Sequence, residues 1–172
     1  MELRFFPVTI FRETPKVTFF DTGINKSNGS DIVIHSEEAI SPPDDFKDEQ
    51  YYVHNHQIDH NLVITGERKF VLINTAWDET HHVIYLNRKM GALEIPIGTY
   101  HRSISGKEGS VVLNQPIRDK LFDPTKEFIP QKLNKLELIK ARKSPPVFWF
   151  LENNQIKRLR FNPLERKAAI LN

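Results

Sequence analysis

No cysteine occurs in the 172 residues, so disulfides, thiolate metal centres and cysteine nucleophiles are excluded, and any metal site must be built from imidazole and carboxylate. No apolar run approaches the roughly 18 to 20 residues that a membrane-spanning helix needs. Charge of one sign is not in excess either. The 24 Lys and Arg against 22 Asp and Glu leave a net charge of +2 and are interspersed, which argues against nucleic acid or an anionic membrane as partner. The opening Met1-Glu2-Leu3-Arg4-Phe5-Phe6-Pro7 lacks the charged, then apolar, then small-residue order of a secretion signal, which points to the cytoplasm.

What is present is a succession of short β-type runs. Residues 3–20 carry Phe, Val, Thr and Ile on either side of Glu13-Thr14-Pro15 and read as an N-terminal strand pair; Ile32 to His35 is a further strand, and Glu37 to Gln50 a polar loop. From Tyr51 the punctuation is regular: Tyr51 to His56, His60 to Thr65, Lys69 to Asn74, Val83 to Leu86, Ala92 to Ile95, Tyr100 to Ile104 and Ser110 to Asn114, with turn residues between them. Such spacing predicts an all-β sandwich or barrel, and the crossover helices of a parallel α/β fold are missing. Beyond Asp123-Pro124, Leu133, Leu136 and Ile139 suggest a short helix within Ile129 to Lys143, and a C-terminal hairpin follows around Glu152-Asn153-Asn154. The exposed edge that Phe148-Trp149-Phe150 would otherwise form is expected to pack on the barrel or across a dimer interface. The length suits one domain, 1–172, with a barrel core over about 48–116 and a C-terminal extension over about 125–172.

Four of the seven histidines fall in two places, His54, His56 and His60 in one and His101 in the other. On a regular strand His54 and His56 would project from one face with α-carbons roughly 6 to 7 Å apart, a spacing that suits two imidazoles on one ion. His35, His81 and His82 read as structural or surface residues, Trp77 as a core residue, and Lys135, Lys140, Arg142 and Lys143 as a solvated face. By the same alternation Tyr100 and Arg102 point away from His101.

These residues resemble the cupins, written G-x5-H-x-H-x(3,4)-E-x6-G and G-x5-P-x-G-x2-H-x3-N. Gly91 to His101 contains P-x-G-x2-H intact at Pro96, Gly98 and His101, with one residue fewer before the proline and Ser105 in place of the asparagine. His54-Asn55-His56 supplies H-x-H and Gly66 the closing glycine, while Asp48 stands at the leading glycine; His60 or Asp59 stands in for the glutamate. The resemblance implies a cupin-type double-stranded β-helix, a jelly-roll barrel, with metal ligands His54, His56, His101 and His60 or Asp59 in its mouth. A set of this kind suits Zn, Ni, Mn or Fe. It also implies a homodimer.

A narrower resemblance is to the RmlC-like cupins, the 3,5-epimerases of dTDP-4-dehydrorhamnose and the sugar-nucleotide keto-isomerases. It rests on the run after His101, Ser110-Val111-Val112-Leu113-Asn114-Gln115-Pro116 and Phe122-Asp123-Pro124, then Glu127-Phe128-Ile129-Pro130. It implies a histidine base, His54 or His56, and a tyrosine acid, Tyr100 or Tyr52, moving a proton beside a ketone. The R-G-x-H opening of the epimerases is absent. The function expected is a metal-binding, epimerase- or isomerase-like enzyme acting on a nucleotide sugar or another small carbonyl compound. The alternatives are a mononuclear Fe(II) dioxygenase and a non-catalytic ligand-binding cupin.

Overall fold

Strand formation follows the β-branched and aromatic runs, and Gly, Pro and Asn clusters end them. The structure is a computed structural model that describes residues 3–46, 48–162 and 167–171. In chain order the strands are β1 (Phe5–Phe6), β2 (Thr9–Thr14), β3 (Val17–Asp21), β4 (Asp31–His35), β5 (Ala39–Ser41), β6 (Gln57–Gly66), β7 (Arg68–Ile73) and β8 (His81–Leu86). They continue as β9 (Ala92–Ile95), β10 (Tyr100–Ser105), β11 (Ser110–Asn114), β12 (Ile117–Arg118), β13 (Val147–Glu152), β14 (Gln155–Asn162) and β15 (Lys167–Leu171). Two helices, α1 (Pro124–Glu127) and α2 (Lys135–Lys143), lie between β12 and β13.

The strands form two facing sheets, the all-β jelly-roll arrangement expected. One runs β1-β9-β6-β11-β4, with β12 also paired to β6; the other runs β15-β14-β13-β8-β7-β10-β5, and β2 and β3 form a separate hairpin. Val63, Leu93, Ile95 and Val112 of the first sheet meet Phe70, Leu72, Ile84 and Leu86 of the second in one core, joined by Trp77, Val147 and Trp149. Each such aliphatic side chain contributes about 1.5 to 3 kcal/mol by leaving water. The outer face of β6 is covered as well, because Leu62 packs with Ala92 and Ile24 under Phe6, Val8 and Phe20 of the N-terminal segment. This second cover explains why β6 lacks the polar-out alternation of a half-exposed strand.

Phe148-Trp149-Phe150 does pack on the sandwich. β13 joins β8 in parallel, with Trp149 opposite Ile84, and Trp149 Nε1–H donates to His82 Nδ1 at 3.0 Å. The hairpin to β14 turns at Asn153 and Asn154, both with positive φ (51° and 59°), a conformation asparagine tolerates better than most residues.

Four local readings change. The Tyr51 to His56 strand is replaced by isolated bridges from Tyr51 to Gln131 and Tyr52 to His101, followed by a bend at Asn55-His56. The polar loop before it contains β5, which pairs with β10 through Ser41 and Ser103. The helix begins at Lys135, where Asn134 accepts from the Leu136 and Glu137 N–H groups and Glu137 reaches back to the Asn134 N–H in a capping box. A last strand, β15, pairs with β14 beyond the hairpin.

Candidate functional site

Tyr52 and His101 form an antiparallel bridge in which each N–H donates to the other's carbonyl at 2.9 Å, and Gly98 N–H donates to the His54 carbonyl at 2.8 Å. The Gly98 bond needs φ 72°, a left-handed conformation that glycine enters without a β-carbon penalty. The Pro96-Ile97-Gly98 corner thereby sets His54 beside His101, ring centroids 4.8 Å apart. Asp59 arrives from β6, whose pleat sends Asp59, Asn61 and Val63 between the sheets and His60 and Leu62 to the opposite face.

His54 Nε2 lies 3.5 Å and His101 Nε2 3.7 Å from Asp59 Oδ2, and one ligand atom from each of the three residues lies within 4.8 Å of the others. Both histidines have their orientation set from behind. His54 Nδ1–H donates to the Glu127 carbonyl at 3.1 Å and His101 Nδ1–H to the Thr99 carbonyl at 3.0 Å, so each presents its Nε2 to Asp59. Asp59 Oδ1 accepts from Gln57 Nε2 at 2.6 Å and Asn114 Nδ2 at 2.8 Å, which leaves Oδ2 for the histidines. Burial lowers the His101 pKa to about 4, outweighing the opposite pull of Asp59, so this ring is neutral at pH 7.

Donor atoms bound to one ion at about 2.0 to 2.2 Å stand roughly 3 to 3.5 Å apart, so a small contraction would let this set hold a divalent metal. Two imidazoles and a carboxylate are donors that first-row ions accept, and the backbone acceptor behind each histidine is the support such ligands need.

The cluster opens on a cavity of about 500 Å³ between the sheets. Aromatic rings surround it: Tyr52 is stacked with His54 (6.4 Å between centroids, 11° between planes), Phe128 meets His54 edge-on at 4.9 Å, and Phe122 lies under the Arg118 guanidinium at 4.2 Å. Arg118 is ion-paired with Asp31 and donates from Nε to Gln57 Oε1 at 2.7 Å, so one hydrogen-bonded chain runs from Arg118 through Gln57 to Asp59. Helix α1, capped by Asp123, delivers Glu127, whose buried carboxylate accepts from Asn55 N–H at 2.8 Å and His56 N–H at 3.4 Å and fixes the bend.

His54 and His101 of the expected set are brought together, and Asp59 rather than His60 joins them. His56 stands apart. The bend turns it outward, and its Nδ1 pairs with the exposed Asp119 Oδ2 at 2.9 Å. His60 lies behind the sheet against Glu94 Oε2 (3.3 Å), the Gln115 carbonyl (3.1 Å) and the edge of Phe6. Tyr100 also faces outward, packing edge-on against Tyr51, and burial together with its Glu137 hydrogen bond raises its pKa to about 12. Tyr52 is the tyrosine that lines the cavity.

Gln57, Asn114, Arg118 and Glu127 were not singled out as site residues. Ser110 to Pro116, Phe122 to Pro124 and Glu127 to Pro130 carry the narrower resemblance and supply Asn114, Phe122, Pro124 and Phe128 to the cavity wall, while Arg118 lies between them. For Gln57 no signal in the sequence distinguishes it from a surface residue.

No family model matches the sequence, and no curated protein matches it. Solved structures do resemble it. A sugar 3,4-ketoisomerase from Thermoanaerobacterium thermosaccharolyticum, in complex with TDP, superposes with a TM-score of 0.54 at 14% identity, covering 83% of this chain and 94% of that one. A TDP-quinovose 3,4-ketoisomerase from Campylobacter jejuni gives 0.55 at 13% identity (80% and 97% covered). A dTDP-4-dehydrorhamnose 3,5-epimerase from Elizabethkingia anophelis gives 0.51 at 13% (75% and 73% covered). The fold is therefore that of the RmlC-like cupins.

Proposed function

We propose that the protein is an isomerase- or epimerase-like enzyme that moves a proton beside the carbonyl of a small substrate, most simply a nucleotide-linked keto sugar. The observation that carries this reading is the convergence of His54, Asp59 and His101 on a cavity of about 500 Å³ that Tyr52 also lines. A volume of this order accepts a small organic ligand. Similarity in fold to sugar 3,4-ketoisomerases and 3,5-epimerases supports the choice of substrate.

In this proposal His54 is the base. Its Nδ1–H is anchored on the Glu127 carbonyl, so Nε2 is free to take a proton from the carbon next to the carbonyl. Tyr52, against His54, is placed to return a proton from its phenol, and the Phe122 and Phe128 rings limit water around the reacting carbon. Neutral His101 completes the polar wall. In a metal-loaded site His54, Asp59 and His101 would hold a divalent transition metal, whose chemistry is charge stabilisation of a developing enolate; His54 Nε2 would then be a ligand rather than the base, and Tyr52 would take over the proton transfer. Arg118, stacked on Phe122, is positioned for the phosphate or base of a nucleotide.

The decisive assay follows deuterium incorporation from heavy water into dTDP-4-keto-6-deoxyglucose. Exchange above a heat-inactivated control, abolished in His54→Asn, is the expected result; no exchange under any metal supplement would refute the reading. Elemental analysis of the purified protein tests the metal separately.

The homodimer has its own support. β4 is a sheet edge on which Ile32 and Ile34 are 69% and 64% exposed, and the β2–β3 hairpin exposes Ile10 and Phe11 at 56% and 67%. An apolar edge of this kind is normally covered. Sedimentation velocity at micromolar concentration should give twice the chain mass, and a single species at the chain mass would contradict the dimer.

A further inference from the structure

One charged group on the cavity wall has no part in the chemistry above. Arg68, at the start of β7, is 1% exposed and lines the same cavity as His54 and Asp59. All its N–H groups donate to neutral acceptors. Nε donates to Ser110 Oγ at 2.6 Å, Nη1 to His35 Nε2 at 3.1 Å and Ser103 Oγ at 3.3 Å, and Nη2 to the Ser110 carbonyl at 3.0 Å and the Val33 carbonyl at 3.4 Å. His35 is locked as the acceptor, because its Nδ1–H donates to Ser105 Oγ at 2.9 Å, whose own proton goes to the Glu37 carbonyl. Among the described residues no carboxylate pairs with this guanidinium, which is thus geometrically satisfied and electrostatically unbalanced. The acidic side chains lining the cavity are engaged elsewhere, Asp31 with Arg118 and Asp59 with Gln57 and Asn114.

A buried cation without a counter-charge is costly, and an anion entering the cavity would offset that cost. The strand register says how far away it sits. Ser103, which touches Nη1, is two residues beyond His101 on β10, about 7 Å along the strand. Phe70 lies opposite Ser103 in the β7–β10 ladder, and Asn61 and Val112 line the same cavity. A hexose with its carbonyl at the His54 end would direct a substituent on the far side of its ring toward Arg68.

We propose that the floor of this cavity is a carboxylate subsite, so that a sugar of uronic-acid type, its acid group directed at Arg68, is preferred over the neutral sugar. The pair of weaker contacts, to Ser103 Oγ and the Val33 carbonyl, lies on the two terminal nitrogens and is what a carboxylate would displace. Ser103, accepting from Arg68, keeps its own proton for the ligand. The sugar in this inference rests on the nucleotide-sugar reading; the acid subsite does not.

The test is calorimetric titration at fixed ionic strength with dTDP-linked glucuronate, dTDP-linked glucose and free glucuronate. Wild-type protein should bind the dTDP-linked uronate at least about tenfold more tightly than the glucoside, with the preference lost in Arg68→Gln and largely kept in Arg68→Lys. If both nucleotide sugars bind equally well, the acid subsite is refuted and the nucleotide reading stands. If free glucuronate binds in an Arg68-dependent manner while the nucleotide sugars do not, the subsite stands and the nucleotide reading fails. Absence of binding by all three overturns both. The wild-type comparison decides even where Arg68→Gln fails to fold, and a uronate preference that survives in a folded Arg68→Gln also overturns the proposal.

Discussion

Acid sensitivity centred on His82 provides a quantitative test of the way the C-terminal hairpin is held. His82 is 3% exposed, donates from Nε2 to the Glu79 carbonyl at 2.7 Å and accepts at Nδ1 from Trp149. Protonating Nδ1 would remove that acceptor and place a second charge beside Arg158 and Arg160. Burial first, and these cations after it, lower the pKa from 6.5 to about 4. The unfolded imidazole therefore takes up its proton below 6.5 while the folded one does not until about 4, so the stability is complete above 6.5 and is lost as pH falls toward 4. At about 1.4 kcal/mol per pH unit the whole window is worth ~3 kcal/mol, of which about 2 kcal/mol is lost by pH 5. Urea unfolding at pH 7.5 and pH 5.0 reads this directly. His82→Gln, whose amide can replace both hydrogen bonds without titrating, should lose about 2 kcal/mol less than wild type across that interval. The remaining acid loss belongs to groups such as His35, also lowered to about 4 by burial and by Arg68. Equal losses in the two proteins, or a His82 ring that titrates near 6.5 by NMR, would refute the argument.

Three further outcomes are expected. Asp59→Ala should abolish stoichiometric metal and turnover while His56→Ala retains both, because His56 faces Asp119 rather than the cavity; elemental analysis and initial rates separate the two variants. Gly98→Ala meets no steric obstacle but must hold φ 72°, which costs about 1 to 2 kcal/mol by thermal unfolding and should lower kcat by loosening the His54 anchor. Leu72→Ala, at a fully buried core position, should destabilise by about 2 to 5 kcal/mol in urea with no change in the metal stoichiometry.

Which imidazoles converge was only partly legible. The Pro96-Ile97-Gly98 corner by itself announces only a turn, while His101 was legible through the cupin resemblance that P-x-G-x2-H carries. His54 came with it. The expectation for His56 assumed a strand over Tyr51 to His56, on which positions 54 and 56 share a face, while His60 or Asp59 followed from motif spacing alone. The bend at Asn55-His56 resets that parity, so Asp59 points inward and His60 outward. The bend is held by Glu127, more than 70 residues downstream, and no local pattern announces such a partner.

The amino-acid sequence alone determined the class of the fold and the chemistry available to it. Short β-type runs with turn residues between them point to an all-β sandwich or barrel, and the lack of cysteine confines a metal site to imidazole and carboxylate. Tertiary structure decided which side chains meet. Arg68 shows the difference most plainly: nothing in the sequence marks it, yet its side chain lies on the cavity wall, where His35, Ser103 and Ser110 enclose it. Local preference acts over a few residues, whereas burial depends on what strands from distant parts of the chain place on the other side.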